Sequence, residues 1–472
     1  MKSCSLGQIY VPPGMYIGKR DLAEPLGINR SGHLTMDGED LHDFANKKGT
    51  RCYVFSPQQL ERNAQRLLRA FRGYPGKFHP FYALKANSSL FIARKLSERG
   101  FGIEVTNIYE LMFALEKIPD VNCICNGISK HYPQDPYRES LIEKAFKYQA
   151  SGHDIIVNLD SLTELEYALT VSEKIGEPIA VGIRLNLAVD ESSANINLAA
   201  GAGFSRFGIP GEVAWYAIGK IHESRYLKLV ELHTHLGSQI THRPLQQFRK
   251  ALSLLIKNYA IRAEEELGCH IEALNLGGGI AVNYLKQNPE NMKNYNLFWA
   301  PYTIEEYATT FMNTVKEAFS DSGISLPELH IEPGRWLTAN TTLLLLRVSN
   351  VFEIPEKYHE QLKGGKKWIV TDGSAITDAL DIVWLKHWFE IVNVSRANSN
   401  LEEVYNIGGI ACDSGDAFSW GKDITGPRKL PKTEAGDVLA VLDVGAYQQM
   451  LSSNYNLLPR PLAYTSNGEE MY

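Results

Sequence analysis

Phe81-Tyr82-Ala83-Leu84-Lys85-Ala86-Asn87 is the stretch from which the fold can be read. An aromatic, apolar run stops at one lysine and gives way to small polar residues. A buried strand has this form when it delivers a single amine to its C-terminal mouth. A lysine desolvated there sheds its proton readily and can form a Schiff base with a carbonyl. The plainer alternative is a solvated lysine at a strand end, where most lysines sit. The surrounding sequence weighs between the two.

Working outward, Cys52-Tyr53-Val54-Phe55 reads as a short strand. Ser56-Pro57-Gln58-Gln59 then supplies an N-cap, a proline at the first helical position and a capping-box partner. Leu60, Ala64, Leu67, Leu68 and Phe71 follow on one helical face. Apolar runs recur at 79–84, 102–105, 122–125, 154–158, 179–186, 228–235, 271–276 and 328–332, most of them separated by helix-length segments. Thr303, with Glu306 three residues on, marks another capping box. Strands alternating with helices in this number predict an α/β fold, a closed (β/α)8 TIM-like barrel. An open doubly wound sheet is the rival; the strand count and the motifs at strand ends favour the barrel.

After Trp336 the pattern changes. Thr342–Leu346, Trp368–Val370, Val404–Ile407 and Val438–Leu442 are β-like runs between turns, without long helices. The predicted organisation is an N-terminal segment, 1–52, that joins the β domain; a barrel over 53–338; and a C-terminal β-rich domain over 339–472.

Composition sets the bounds. The 472 residues are 44% hydrophobic and 22% charged, with a net charge of −6, so no basic footprint for nucleic acid or anionic membrane exists. Met1-Lys2-Ser3-Cys4-Ser5-Leu6 lacks the apolar run of a signal peptide, and no run approaches a membrane span. The expectation is a cytoplasmic, soluble protein. Six cysteines (Cys4, Cys52, Cys123, Cys125, Cys269, Cys412) form no disulfide framework. Cys123 and Cys125 alternate in an apolar run and read as buried strand residues, not metal ligands.

Chemistry-bearing residues cluster at the ends of the predicted strands. Leu232-His233-Thr234-His235-Leu236-Gly237-Ser238 can lay an imidazole over a ring and offer an amide and a hydroxyl to an anion. A metal pair at His233 and His235 is the alternative, without a carboxylate cluster in the nearby sequence to support it. Asn275-Leu276-Gly277-Gly278-Gly279 exposes backbone N–H groups where parallel barrels often bind phosphate; a flexible turn is the bland reading. Glu332-Pro333-Gly334-Arg335 closes the last run with a carboxylate able to keep an opposed pyridine nitrogen protonated, and with a bidentate anion clamp. A structural Glu–Arg pair is the alternative there. Ala411-Cys412-Asp413-Ser414-Gly415-Asp416 and Gly445-Ala446-Tyr447 belong to the predicted second domain, where Cys412 is either a general acid or an ordinary loop cysteine.

In their order these motifs resemble the pyridoxal-phosphate decarboxylases of the alanine-racemase-like fold (fold-type III), the diaminopimelate and ornithine decarboxylase group. The resemblance spans roughly residues 50 to 465 and includes Gly203–Ile209 and the tail Ser452-Ser453-Asn454-Tyr455-Asn456 with Arg460-Pro461. It implies pyridoxal 5'-phosphate as cofactor, with Lys85 as the Schiff-base lysine and His235 stacked on the ring. It implies that Ser238, Gly277, Gly278, Gly279, Gly334, Arg335 and Tyr447 line the phosphate. Glu332 would pair with the ring nitrogen, Arg184 would lie beneath the ring, and Glu104 would stand where the family usually has aspartate. Cys412 would be the proton donor, and Arg335, Asp413 and Tyr447 would contact the amino-acid substrate. Cys412 and Asp413 would cross the interface of a homodimer with shared active sites. No metal is assigned.

One segment departs from the family. Diaminopimelate decarboxylases carry Arg-Pro and, three residues on, a tyrosine, which bind the distal end of the substrate. Asp372–Trp384 has neither; Leu380 and Trp384 stand near those places, and Asp378 and Asp381 add acid. Residues 283–302 form an insertion. The expected activity is amino-acid decarboxylation with an altered substrate segment, on a diamino acid or derivative carrying a distal amine. The alternatives are diaminopimelate decarboxylase itself, serving lysine biosynthesis; an amino-acid racemase, which Glu332 disfavours because racemases on this barrel usually use arginine there; and a non-catalytic binding protein like the antizyme inhibitors.

Overall fold

The computed structural model describes residues 24–189, 198–285, 297–359, 365–420 and 426–471. Cys4, Pro12-Pro13-Gly14 and the middle of the insertion, 286–296, lie outside them. The chain forms two compact units. One comprises Asn63–Ala281 and Ala300–Trp336; the other gathers the chain up to Arg62, Val282–Trp299 and everything from Leu337 on.

The first unit is the predicted barrel. Its strands are β1 (Phe78–Ala83), β2 (Gly102–Val105), β3 (Cys123–Cys125), β4 (Ile155–Leu159), β5 (Ile179–Asn186), β6 (Leu227–His233), β7 (Ala273–Asn275) and β8 (Glu328–Ile331). Each pairs in parallel with the next, and β8 pairs with β1, so the sheet closes without an edge. The intervening helices begin where the sequence supplies caps. Asn107, Ser140 and Ser161 each accept the amide three residues on. Thr303 and Glu306 form the complete capping box. Alternation along the strands sorts inside from outside. On β8 and just beyond it, His330 and Glu332 reach across the barrel, whereas Leu329 and Ile331 face outward and are fully buried. Gly102 on β2 makes room for Phe81, whose ring carbons lie 2.4 Å from where a Cβ would stand.

In the second unit Thr342–Glu353 is the central strand, antiparallel to Val438–Val441, Lys367–Thr371 and Cys52–Phe55. Cys52–Phe55 falls within the stretch assigned by sequence to the barrel, yet it pairs here, with Leu462–Thr465 on its other side. A short apolar run carries no information about its partner, which explains the misplacement. Leu34, Met36, Leu41 and Phe44 bury their side chains against Val54, Leu343, Leu345 and Val438. The described ends of the insertion are pinned in this unit: Tyr284 N–H donates to Phe298 O at 3.0 Å, and both rings pack on His387. Among the described residues no helix is long and apolar enough to cross a membrane.

Candidate active site

Lys85 sits in a one-turn 3-10 helix, Leu84–Ala86, directly after β1. Its Nζ donates to Glu104 Oε1 at 2.9 Å and Oε2 at 2.8 Å. The lysine side chain is 40% exposed while Glu104, on β2, is fully buried. The predicted desolvation of Lys85 is therefore not what the structure shows: the turn carries the amine out of the strand, and a carboxylate holds it. Burial raises the Glu104 pKa, and Lys85 pulls in the opposite direction.

Glu332 sits deeper. Its Oε1 accepts from Asn126 Nδ2 at 2.8 Å and Asn275 Nδ2 at 2.9 Å, with His233 Nε2 at 3.3 Å. Burial alone would push this carboxyl up; His233, and then Lys85, hold it well below the usual carboxylate range. The Asn126 amide also donates to Glu104 at 3.1 Å, bridging two buried carboxylates. Behind it, Asn158 donates to Asn126 Oδ1 at 3.0 Å and to Glu231 Oε1 at 2.7 Å. Glu231 Oε2 faces His330 Nδ1 at 2.5 Å. The barrel is thus threaded by a polar column from mouth to interior. Sequence reasoning missed Asn126, Asn158, Glu231 and His330. The available signal was the asparagine that ends or directly follows an apolar run at 126, 158 and 275.

His235 accepts the Gly278 N–H on Nδ1 at 2.9 Å, which places its own proton on Nε2. Burial, then the neighbouring Arg184 and Lys85, push its pKa well below 6.5, so the ring is neutral. The glycines beside it permit close nesting of loops. A Cβ at Gly277 (φ +63°) would lie 2.5 Å from His235 Nδ1, and one at Gly279 (φ +93°) 2.5 Å from Gly237 O. Arg335 Nε and Nη2 both donate to Ser238 Oγ at 3.2 Å. At Gly334 a Cβ would come within 2.8 Å of Ala86 Cβ, which ties this loop to the Lys85 turn. Arg184, on β5, lies 3.5 Å from Asp160 and over the Phe207 ring at 4.7 Å. Asp160 Oδ1 also accepts the Gly208 N–H, so Arg184 and Asp160 both engage the Gly203–Ile209 segment.

The neutral imidazole has a measurable consequence. Its folded pKa lies below the unfolded value, so the unfolded chain binds more protons once the pH drops under about 6.5. This contribution to stability is present above that pH and is lost as the pH falls toward the folded pKa. Urea unfolding of cofactor-free protein is expected to lose more stability, on the order of 1 kcal/mol, in the wild type than in His235→Asn between pH 7.5 and about pH 5.5. Identical pH profiles would refute the assignment of a neutral His235.

Cys412, Asp413 and Tyr447 belong to the β-rich unit. Cys412 is exposed, its N–H donating to Asn456 Oδ1 at 2.7 Å. Asp413 is exposed and accepts the Gly415 N–H. Asp416, in contrast, is buried and pins the loop, accepting from Ala411 N–H at 2.8 Å and Ser374 Oγ at 2.9 Å. Tyr447 is half-buried with φ +70°, an uncommon conformation for a bulky residue and one that marks functional sites. Asp378 and Asp381 do not face a ligand as the sequence suggested. Asp378 is fully buried in a two-pronged contact with Arg51 at 3.0 and 2.9 Å, and Asp381 is buried against Gln448 at 2.8 Å. Their charge is spent inside the unit.

Within the barrel, then, a mouth lysine, a deep carboxylate held ionised, a neutral imidazole and an arginine–hydroxyl–glycine set converge. A pyridine aldehyde phosphate needs these groups: an amine for the aldehyde, an anionic partner for the ring nitrogen, and donors for the phosphate. The family model described as the pyridoxal-binding domain of pyridoxal-dependent decarboxylases matches residues 58–339. The chain belongs to that family. This pyridoxal-dependent decarboxylase is 31% identical to the diaminopimelate decarboxylase of Methanocaldococcus jannaschii, over 92% of this chain and 90% of that one. It is 30% identical to that of Methanothermobacter thermautotrophicus, with the same coverage. The solved structure of the M. jannaschii enzyme in complex with L-lysine superposes with a TM-score of 0.77 at 29% identity, covering 94% of each chain. The decarboxylase is a carboxy-lyase that uses pyridoxal phosphate.

Proposed function

We propose that this decarboxylase acts on an α-amino acid whose distal end carries an amine and no carboxylate, such as lysine, ornithine or a derivative. The observation behind this is the segment Asp372–Trp384, which has Leu380 near the place where diaminopimelate decarboxylases carry the arginine for a distal carboxylate, and Trp384 near the place of their tyrosine. Leu380 is half-buried and Trp384 is 65% exposed. An aliphatic side chain offers a carboxylate no hydrogen bond, and leaving that group desolvated and unpaired costs several kcal/mol, on the order of a thousandfold in specificity.

Pyridoxal phosphate supplies the aldehyde that captures the substrate amine and the ring that accepts the electron pair left by departing CO2. The residues do the rest in our reading. Lys85 anchors the aldehyde and is displaced by the substrate amine, with Glu104 receiving its charge. Glu332, kept anionic by His233, Asn126 and Asn275, holds a proton at the ring nitrogen. His235, uncharged, covers the ring without competing for that proton, and Arg184 lies beneath. Ser238, Gly277, Gly278, Gly279, Gly334 and Arg335 bind the phosphate together with Tyr447. Cys412 and Asp413 reach the site from the second subunit of a homodimer, where Cys412 Sγ protonates the substrate Cα and Asp413 contacts substrate.

Diaminopimelate itself is the second reading, favoured by the likeness to diaminopimelate decarboxylases; exposed Lys386 or Arg460 would then meet the distal carboxylate. CO2 release with meso-diaminopimelate, D- and L-lysine and D- and L-ornithine separates the two. At least a tenfold higher kcat/KM for a substrate without a distal carboxylate is the expected result. A clear preference for diaminopimelate overturns the first reading, and absence of CO2 release with racemisation instead would make the protein a racemase.

A further inference from the structure

We propose that the floor of the barrel, opposite the catalytic mouth, is a divalent-cation site suited to zinc, formed by His79 on β1 and Glu328 and His330 on β8. His79 and His330 are register partners on adjacent parallel strands, and Glu328 precedes His330 by two residues on the same face. One donor atom from each lies within 4.8 Å of the other two. Glu328 Oε1 is 3.4 Å from His330 Nε2 and 3.8 Å from His79 Nδ1. Ligands about 2.0–2.1 Å from a tetrahedral zinc stand roughly 3.4 Å apart, so small side-chain movements close the site around an ion.

A second, independent feature points the same way. The other nitrogen of His330, Nδ1, lies 2.5 Å from the buried carboxylate of Glu231. Protein zinc sites orient a ligating imidazole by this carboxylate–histidine arrangement, which aims the free nitrogen at the metal. Here it aims Nε2 at Glu328. The charges also match: two carboxylates, Glu231 and Glu328, flank His330, and a divalent ion offsets both. Lys77 near Glu328 and Asp154 near His79 contribute opposite signs around the rim. The side chains of His79 and Glu328 are 23% and 28% exposed, leaving an entry path and room for water as fourth ligand. A second histidine–aspartate group, His33, Asp40 and His42, is less suited. There Asp40 Oδ1 already accepts the His42 and Asp43 amides, and Oδ2 accepts Asn29.

The site is remote from the chemistry, since Glu328 and Glu332 are separated by about 13 Å of strand. Its effect on the reaction is therefore indirect at most, through Glu231 and Asn275 to Glu332.

The test is calorimetric titration of chelator-treated holoenzyme with Zn2+, together with absorption spectra after Co2+ addition. Wild type is expected to take up one equivalent and to show the intense visible bands of four-coordinate cobalt. His79→Ala and Glu328→Gln, both at partly exposed positions, are expected to bind Zn2+ at least tenfold more weakly, with no four-coordinate cobalt spectrum and with cofactor content unchanged. His42→Ala is expected to bind like wild type. No stoichiometric uptake by wild type, or uptake surviving in His79→Ala, overturns the proposal.

Discussion

Mixing inactive Lys85→Ala protein with inactive Cys412→Ala protein is expected to restore about a quarter of wild-type turnover. Each single variant should lose at least ~10³-fold if, as proposed, Lys85 is the anchoring amine and Cys412 the proton donor. The two residues lie in different compact units of the chain, Lys85 in the barrel and Cys412 in the β-rich unit. In a two-fold dimer with shared sites, random exchange of equal amounts makes half the dimers mixed, and each mixed dimer has one complete site. Borohydride reduction of the wild type checks the anchor independently, since the cofactor should become fixed on Lys85. If isotope-marked subunits exchange and activity stays absent, each site is built from one chain. If peptide mapping finds the label on another lysine, the anchor has been misassigned.

Glu332→Gln should fold and retain cofactor yet lose on the order of 10³ in kcat/KM, chiefly through kcat. The carboxylate is the common acceptor for Asn126 and Asn275 and has His233 beside it. A glutamine there turns an NH2 toward one of these donors and removes the charge proposed to hold a proton on the ring nitrogen. Asn275→Ala, which removes one of the supporting hydrogen bonds, should cost about tenfold. Glu332→Gln activity within tenfold of wild type would contradict the assignment of Glu332 as the ring-nitrogen partner.

Much of the barrel was legible because its outward residues are aliphatic and its strands are short runs between helices. The runs ending at Ala83, Val105 and Cys125 needed no partner information to be recognised as strands. What the sequence hid was pairing across distance. Cys52–Phe55 reads as a short strand of no stated partner, and only its ladder with Thr342–Leu345 places it in the β-rich unit. Asp378 reads as surface acid because its counter-charge, Arg51, lies more than 300 positions away in the chain. Lys85 stands out in the sequence by its position, but its solvation was misjudged, because the local turn that exposes it and the Glu104 that holds it are tertiary facts. Glycines and charged strand ends marked the mouth well. Asn126 and Asn158 beneath it were passed over, since a lone amide after an apolar run has no chemistry until its neighbours are known.

The polar column through the barrel also bears on how this protein can change over generations. Asn126, Asn158, Asn275 and Glu231 occupy space that aliphatic side chains fill in many barrels. Substituting the set with well-packed hydrophobes could raise thermal tolerance, because buried charges and amides recover their desolvation cost only through a complete set of partners. A single substitution would strand the remaining members and weaken the fold. The column can therefore be kept whole or lost whole, but not eroded stepwise, and a lineage that lost it would hold a sturdier barrel with its deep carboxylate left unsupported.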